Sequence, residues 1–142
     1  MSSSPPEGPF GAVLSASLEA LAREAPAASG ALARALQGLF VTLVVDGERV
    51  TVGAPDAHAR VVPEVPGAVL ARTSREAILG LIEGRDALPA AILEDRLALR
   101  GAVAQLSTAH DALMMYLHGV LRSPSQPAIL ARWRDGAPTV PR

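Results

Sequence analysis

The stretch STAHDAL (107–113) carries a serine, a histidine and an aspartate, the three residue types of a hydrolytic triad. In a helix, Ser107 and His110 lie one turn apart, whereas successive residues such as His110 and Asp111 point about 100° apart. Asp111 therefore cannot hold the imidazole in the orientation that a triad requires. The sequence also lacks the G-x-S-x-G turn that exposes a nucleophilic serine. We expect a protein that has no catalytic residues and is not an enzyme.

The same segment also contains candidate metal ligands, since His110, Met114 and His118 follow one another at intervals of four residues. Such a stripe drifts by about 40° per step around a helix, so two of the three side chains could share an ion but three would share it poorly. The chain contains no cysteine, and it lacks both the G-K-[ST] and the G-x-G-x-x-G phosphate-binding motifs. We therefore expect neither a metal nor a cofactor.

Composition narrows the class of protein further. The 142 residues are enough for one domain with a substantial core, and the net charge of −1 gives no reason to expect a nucleic-acid partner. The longest apolar run, GLFVTLVV (38–45), is too short to span a bilayer, and the first residues do not resemble a secretory signal. We expect a cytoplasmic protein without stable membrane insertion. Residues 1–10 are expected to be disordered, 11–134 to form one domain and 135–142 to form a flexible tail.

Periodicity predicts a mixture of strands and helices. Asp46-Gly47 separates two β-branched runs, 40–45 and 48–53, and this pair is the strongest short signal for a hairpin with a type I′ turn. Further strands are expected at 67–72 and 96–100, with an edge strand near 58–62. Helical spacing predicts helices ending before Pro26, around 32–39, from Thr73 to Gly84, from Pro89, over 102–121 and over 127–134. Thr73 and Glu76 have the spacing of a capping box.

The long helix over 102–121 is apolar on two faces. His110 lies at the centre of one apolar stripe, either as a core histidine bonded to a backbone carbonyl or as a polar anchor at the end of a ligand cavity. The opposite face combines small and apolar residues, namely Ala109, Ala112, Met115, Tyr116 and Gly119. This face must be covered by the C-terminal AILARW segment, by a bound lipid or by a second subunit, and Ala109, Ala112, Met115 and Tyr116 would form the homodimer contact.

The stretch VLARTSREAILGLIEGRDALPAAILEDRLALRGAVAQLSTAHDAL (69–113) resembles the sterol carrier protein (type 2) family of lipid-binding domains. The matching features are a strand leading into a capped helix that ends in LIEG, a short helix, an RLALRG strand and a leucine-rich helix. The resemblance implies an α+β fold in which helices cover one face of a five-stranded, mostly antiparallel sheet, with an apolar tunnel for acyl chains, sterols or other lipids between them. The glycine that the family usually has before the final strand is Asp95 here.

Two functions follow from these observations. The first is non-enzymatic binding or transfer of an apolar lipid, whose affinity would come from burial at about 0.8 kcal/mol per methylene group. The alternative is a protein-interaction, dimerisation or enzyme-accessory module of the same fold with a filled core. For the first function, the expected ligand-binding residues are Ile78, Ile82, Leu97, Leu99, Leu106, His110, Leu113, Met114 and Leu117.

Overall fold

The computed structural model describes residues 8–135 of the chain. The helices are α1 (Pro9–Glu24), α2 (Pro26–Ala35), α3 (Arg75–Ile82), α4 (Leu88–Leu93), α5 (Val103–Val120) and α6 (Gln126–Arg134). The strands are β1 (Val41–Val45), β2 (Glu48–Gly53), β3 (Arg60–Val62), β4 (Val69–Thr73) and β5 (Leu97–Arg100). Because α1 begins at Pro9, Pro9 and Phe10 are helical and not disordered as the sequence suggested. Gly8 is the N-cap of α1. Residues 1–7 of the predicted disordered start, and the predicted tail beyond residue 135, lie outside the described residues.

The five strands form one mixed sheet in the order β3-β2-β1-β4-β5. β1 pairs in parallel with β4, and the other three neighbouring pairs are antiparallel. Asp46 and Gly47 both have positive φ, 50° and 89°, as a type I′ turn between β1 and β2 requires. The predicted α+β class, with a five-stranded sheet covered by helices, is confirmed.

The first turn of α3 is capped one residue later than the sequence suggested. Ser74 is the N-cap, and its hydroxyl accepts a hydrogen bond from the amide of Ala77 at 3.1 Å. Thr73 is still the last residue of β4, and its hydroxyl donates to the carbonyl of Arg96 at 2.6 Å. The Thr73–Glu76 capping box is therefore wrong, because pairing of Thr73 with β5 holds its side chain in the sheet.

The turn that separates α3 from the short α4 is a regular helix ending. After α3, the amide of Arg85 donates to the carbonyl of Gly80 and that of Gly84 donates to Leu81, with Gly84 at a φ of 79°. These two bonds form a Schellman motif, which satisfies the last carbonyls of the helix. The backbone amides of this turn are thus occupied within the chain and do not form a phosphate-binding loop.

A second Schellman motif ends α4, with an aspartate where glycine is usual. The amide of Arg96 donates to the carbonyl of Ala91 at 2.8 Å, and that of Asp95 donates to Ile92 at 3.2 Å. Asp95 has a φ of 62°, so it adopts the left-handed conformation that these bonds require. Aspartate tolerates this region better than most residues, and β5 can therefore begin in register without the glycine.

The β1–β2 hairpin anchors α1 through a side chain. The carboxylate of Glu48 accepts hydrogen bonds from the amides of Phe10 at 3.0 Å and Gly11 at 2.9 Å. These amides belong to the first turn of α1, where backbone donors have no helical partner and where negative charge is favourable. The bonds hold the start of α1 against the sheet.

The small-residue face of α5 is covered by helices of the same chain. Ala109 and Ala112 are buried, and α2 and α1 pack on this side of α5. A Cβ atom added to Gly119 would lie 2.7 Å from Leu21 Cδ1 and 3.0 Å from Ala28 Cβ, so the helices approach too closely for a side chain there. Ala109 and Ala112 are thus covered within the chain and have no surface left for the expected homodimer contact, whereas Met115 and Tyr116 are only partly buried.

We expect Asp95→Gly to stabilise the protein by about 0.5–1 kcal/mol. Glycine adopts a positive φ without the steric cost that an L side chain has there, and this gain exceeds its larger loss of backbone entropy. Chemical denaturation of the two proteins measures the difference. Glu94→Gly is the matched control, because Glu94 has a φ of −96° and gains nothing from glycine. An Asp95→Gly protein that is less stable than the wild type would contradict the backbone geometry described for this turn.

The close approach at Gly119 predicts opposite effects for two helical glycines. Gly30→Ala should stabilise by about 0.5–1 kcal/mol, because alanine favours the helix and the added methyl group meets no atom closer than 3.5 Å. Gly119→Ala should destabilise by about 1 kcal/mol, since overpacking against Leu21 and Ala28 outweighs the same gain in helix propensity. Urea unfolding of both variants tests this, and equal stabilisation by both would exclude the tight α5–α1/α2 contact.

Candidate functional site

An apolar cavity of about 120 Å³ lies between the sheet and the helices. Its floor consists of inward-facing residues of β1, β2, β4 and β5, and its walls come from α1, α2, α3, α5 and α6. Among residues 8–135, no charged side chain lines it. Apolar cavities of roughly this size stay dry and accept small apolar groups. This space is therefore the candidate site.

Six of the nine predicted ligand-binding residues line this cavity: Ile78, Ile82, Leu97, Leu99, Leu113 and Leu117. Ile78 and Ile82 are one turn apart in α3, while Leu97 and Leu99 project from the same face of β5 because strand residues alternate. Leu113 and Leu117 are likewise one turn apart in α5. The structure thus brings together side chains from three of the elements that the sequence selected.

The other three predicted residues, Leu106, His110 and Met114, lie outside the cavity. Leu106 and Met114 pack at the edge of the core and are only partly buried. The side chain of His110 is 40% exposed, and its Nδ1 atom lies 3.8 Å from Asp111 Oδ1, beyond hydrogen-bond distance. His110 is therefore neither a buried core histidine nor an anchor in the cavity, and both interpretations of it were wrong.

The error came from the rotation of α5. On a helical wheel, the large apolar side chains of α5 and the residue after it cluster around His110, which predicts that this side faces inward. Two of these side chains, Val103 and Leu121, are instead 84% and 75% exposed. The face that is buried is instead centred near Ala109 and Tyr116, about 100° around the helix. Small residues mark that face because α2 packs closely against it, and a hydropathy wheel gives small residues little weight.

Sequence reasoning also missed the contribution of the first and last helices. α1 supplies Phe10, Val13, Leu14 and Leu18 to the cavity wall, and α6 supplies Leu130 and Trp133. The rings of Phe10 and Trp133 lie 5.2 Å apart between centroids, so the two helices meet at the cavity. The helical spacing of Leu14, Leu18 and Leu21 signalled a buried face on α1, but not which surface that face would cover.

A buried polar network lies behind the cavity wall. The Tyr116 hydroxyl and Ser17 Oγ are 2.6 Å apart, and Ser17 Oγ donates to Gln126 Oε1 at 2.6 Å. The Gln126 amide nitrogen donates in turn to the carbonyl of Ser17 at 3.0 Å and to Ser123 Oγ at 3.2 Å. Burial raises the pKa of Tyr116, so its hydroxyl stays neutral while its ring faces the cavity.

Glu24 continues this network at the end of α1. Its carboxylate accepts hydrogen bonds from Ser123 Oγ at 2.6 Å, from the Ser125 amide at 3.0 Å and from Ser125 Oγ. These hydrogen bonds, first of all the one from Ser123, lower the pKa of Glu24 from 4.5 to about 2. The ionised carboxylate thereby fixes the turn between α5 and α6, and with it the position of α6 on the cavity.

Other kinds of site receive no support from the described part of the chain. Residues 8–135 contain no group of three or more histidine, cysteine, aspartate or glutamate side chains that could hold a metal ion. None of Ser107, His110 and Asp111 lines the cavity, and Ser107 is exposed. Within the same residues, no helix is both long and apolar enough to cross a membrane.

Known structures with the same architecture identify the fold. A UbiJ-SCP2 ubiquinone synthesis protein superposes with a TM-score of 0.58 at 17% sequence identity, covering 82% of this chain and 96% of that one. The sterol carrier protein domain 2 of Helicoverpa armigera superposes with a TM-score of 0.56 at 16% identity, covering 83% of this chain and 95% of that one. The chain has the sterol carrier protein fold.

The resemblance noted in the sequence is thus confirmed for the fold. No protein-family model and no curated protein matches the sequence. Within the described residues, a small apolar cavity lies between the helices and the sheet, and the lipid tunnel that the resemblance implied stays a prediction. The left-handed aspartate, Asp95, takes the place of the expected glycine.

The Glu24 network predicts a loss of stability in acid. Because the folded-state pKa of Glu24, about 2, lies below its ordinary value of 4.5, its contribution is complete above pH 4.5 and is lost as the pH falls toward 2. Glu24→Gln should lower the melting temperature at pH 7 and should lose less stability than the wild type between pH 4.5 and 2.

Glu19→Gln, on the exposed side of the same helix, is the control and should follow the wild type across this range. Thermal melts monitored by circular dichroism measure all three proteins. Identical pH profiles for the wild type and Glu24→Gln would show that the Ser123 and Ser125 contacts do not stabilise the fold.

Proposed function

We propose that the protein binds an apolar lipid, an acyl chain or a sterol-like molecule, in the cavity between its helices and its sheet, without catalysing a reaction. The single observation that carries this proposal is a partly open cavity lined almost entirely by apolar side chains, which come from nine elements of the fold. An apolar concave surface of this kind is the usual form of a site for an apolar ligand. A ligand that covers it removes apolar surface from water, which is favourable.

The cavity is too small to hold a long lipid unless its walls move apart. Typical ligand pockets have volumes of roughly 300–1,000 Å³, larger than the space described. A long lipid must therefore push the walls apart, and the helices can move more easily than the hydrogen-bonded sheet. We expect the rings of Phe10 and Trp133 to move first, since their contact includes no hydrogen bond, whereas Glu48 and the Gln126 and Glu24 networks hold the backbones of α1 and α6.

Chemistry at the cavity wall supports binding without a reaction. The hydroxyl of Thr73 donates to the Arg96 carbonyl, and that of Tyr116 is bonded to Ser17. Both hydroxyls are thus already engaged, and no histidine or carboxylate among the described cavity residues lies beside them to activate either as a nucleophile. The ligand residues that we propose are the six predicted ones on the wall together with Leu14, Leu18, Leu130 and Trp133.

A second function, an accessory or interaction module, is favoured by the small size of the cavity. In that case the void is a packing defect and the surface carries the activity. The similarity in fold to a ubiquinone synthesis protein agrees with either function, because a biosynthetic accessory protein can also hold a lipid.

Leu113→Trp distinguishes the two functions. If the cavity receives lipid, the larger side chain should occupy it, weaken binding of a fluorescent fatty acid by at least about tenfold and change stability little. If the core is effectively filled, the same substitution should cost roughly 1–3 kcal/mol through overpacking. Fluorescence titration and thermal melting of the wild type and the variant measure both quantities.

Met114→Trp is the matched control, because Met114 neighbours Leu113 in α5 but lies outside the cavity. It should bind the probe as the wild type does. A wild-type protein that binds neither fatty-acid nor sterol probes, together with a strongly destabilised Leu113→Trp variant, would exclude the lipid-binding function and leave the accessory module.

A further inference from the structure

A second depression, with a volume of about 400 Å³, lies where the C-terminal ends of α3 and α5 meet α6. Ile82 and Leu130 line both this groove and the apolar cavity. Two side chains thus form the partition between the two spaces. Leu130 is buried and Ile82 is half-buried, so a change of rotamer at both side chains would connect the two spaces without unfolding either helix.

The groove differs from the cavity in its charge. Its lining includes two arginines, Arg122 and Arg134, and one carboxylate, Glu83. Glu83 is already paired, since its Oε2 atom accepts from Arg134 at 2.5 Å and its Oε1 atom accepts from Arg85 at 2.8 Å. These pairs lower the pKa of Glu83 and keep it ionised. Together the groove side chains carry one net positive charge.

Arg122 is the group in the groove that is available to a ligand. It follows α5, is exposed and forms no ion pair with any other residue in the range 8–135. Its neighbour Leu121 is 75% exposed at the same rim, an unusual position for a large apolar side chain. The rim therefore offers a free guanidinium beside an uncovered apolar surface.

The cavity cannot accept a charged group. In the part of the chain that the structure describes, no charged residue lines it, and the hydroxyls of Thr73 and Tyr116 are already bonded within the protein. An ionised carboxylate or phosphate placed there would lose its hydration without gaining partners, at a large cost in free energy. The head of an anionic lipid must therefore remain at an edge where water and a cation are both present.

We propose that the ligand is a single-chain amphiphile with an anionic head group, a carboxylate or a phosphate, and that the groove holds this head beside Arg122. The chain passes between Ile82 and Leu130 into the apolar cavity, and its first methylenes cover Leu121. This inference rests on the proposed lipid-binding function and names the chemical class of the lipid and the place of its head. Arg134, held by Glu83, forms the opposite side of the groove.

The test compares three ligands that share a sixteen-carbon chain: palmitate, hexadecyl phosphate and hexadecanol. Displacement of a fluorescent probe should show that the wild type binds the two anions about threefold to fivefold more tightly than the alcohol, the range expected for a solvent-exposed charge contact. Arg122→Gln should remove this preference while leaving the affinity for hexadecanol unchanged. Arg122→Glu should reverse the preference, and salt should weaken it in the wild type.

Arg132→Gln is the matched control, since Arg132 is exposed on α6 and lines neither the groove nor the cavity. It should keep the wild-type preference. Equal binding of all three ligands by the wild type, or an unchanged preference in both Arg122 variants, would overturn the placement of the head and leave lipid binding intact. A wild type that binds none of the three ligands would overturn both proposals. A preference for only one anion would support the groove and identify whether a carboxylate or a phosphate is the natural head.

Discussion

The amide of Gln126 is 1% exposed, and its need for hydrogen-bond partners fixes the arrangement of three helical segments. Inside the protein, an unpaired amide costs about 1–3 kcal/mol, so the chain must supply partners for it. They come from Ser17 in α1 and Ser123 after α5, while Ser17 also bonds Tyr116 in α5. The first, fifth and sixth helices thus meet at one polar point, and their distances from the sheet follow from it.

The cavity is a consequence of that arrangement. Polar bonds have short, directional distances, whereas apolar contacts adapt to the space that remains. With the helices held at one end by the Gln126 and Glu24 networks, and α1 held at its other end by Glu48, the helical layer cannot collapse fully onto the sheet. The residual space is apolar because the residues around it face inward from strands and helices whose polar sides face solvent.

The division between an uncharged cavity and a charged groove gives the protein a polarity that suits an amphiphile. Burial strongly disfavours an unpaired ion, so charges collect where helix ends reach the surface. The ends of α3 and α5 and the side of α6 reach it together, and Ile82 and Leu130 line both this surface groove and the apolar interior. A molecule with one apolar part and one charged part therefore fits, with the apolar part in the cavity and the charged part in the adjoining groove.

The sheet half of the fold could be predicted from the sequence, and the helical half only in outline. Strand alternation and the Asp46-Gly47 turn are local signals, and β1, β2, β4 and β5 lie within two residues of their predicted bounds. Ile78, Ile82, Leu97 and Leu99 could be placed on the cavity for the same reason, since α3 and β5 each have one apolar face. The rotation of α5 about its own axis could not be predicted, because both of its faces are apolar. Hydropathy alone therefore placed His110 on the inward face.

Which of those faces lies inward depended on residues far away in the sequence. Gly119 admits Leu21 and Ala28, and Tyr116 reaches Ser17, contacts that no local pattern encodes. The sequence alone thus determined the fold class, the order of elements and the absence of recognisable catalytic and phosphate-binding motifs, since these depend on neighbouring residues. Only the tertiary structure decided the rotation of α5, the closure by α1 and α6 and the groove beside the cavity, because these depend on how distant surfaces pack together.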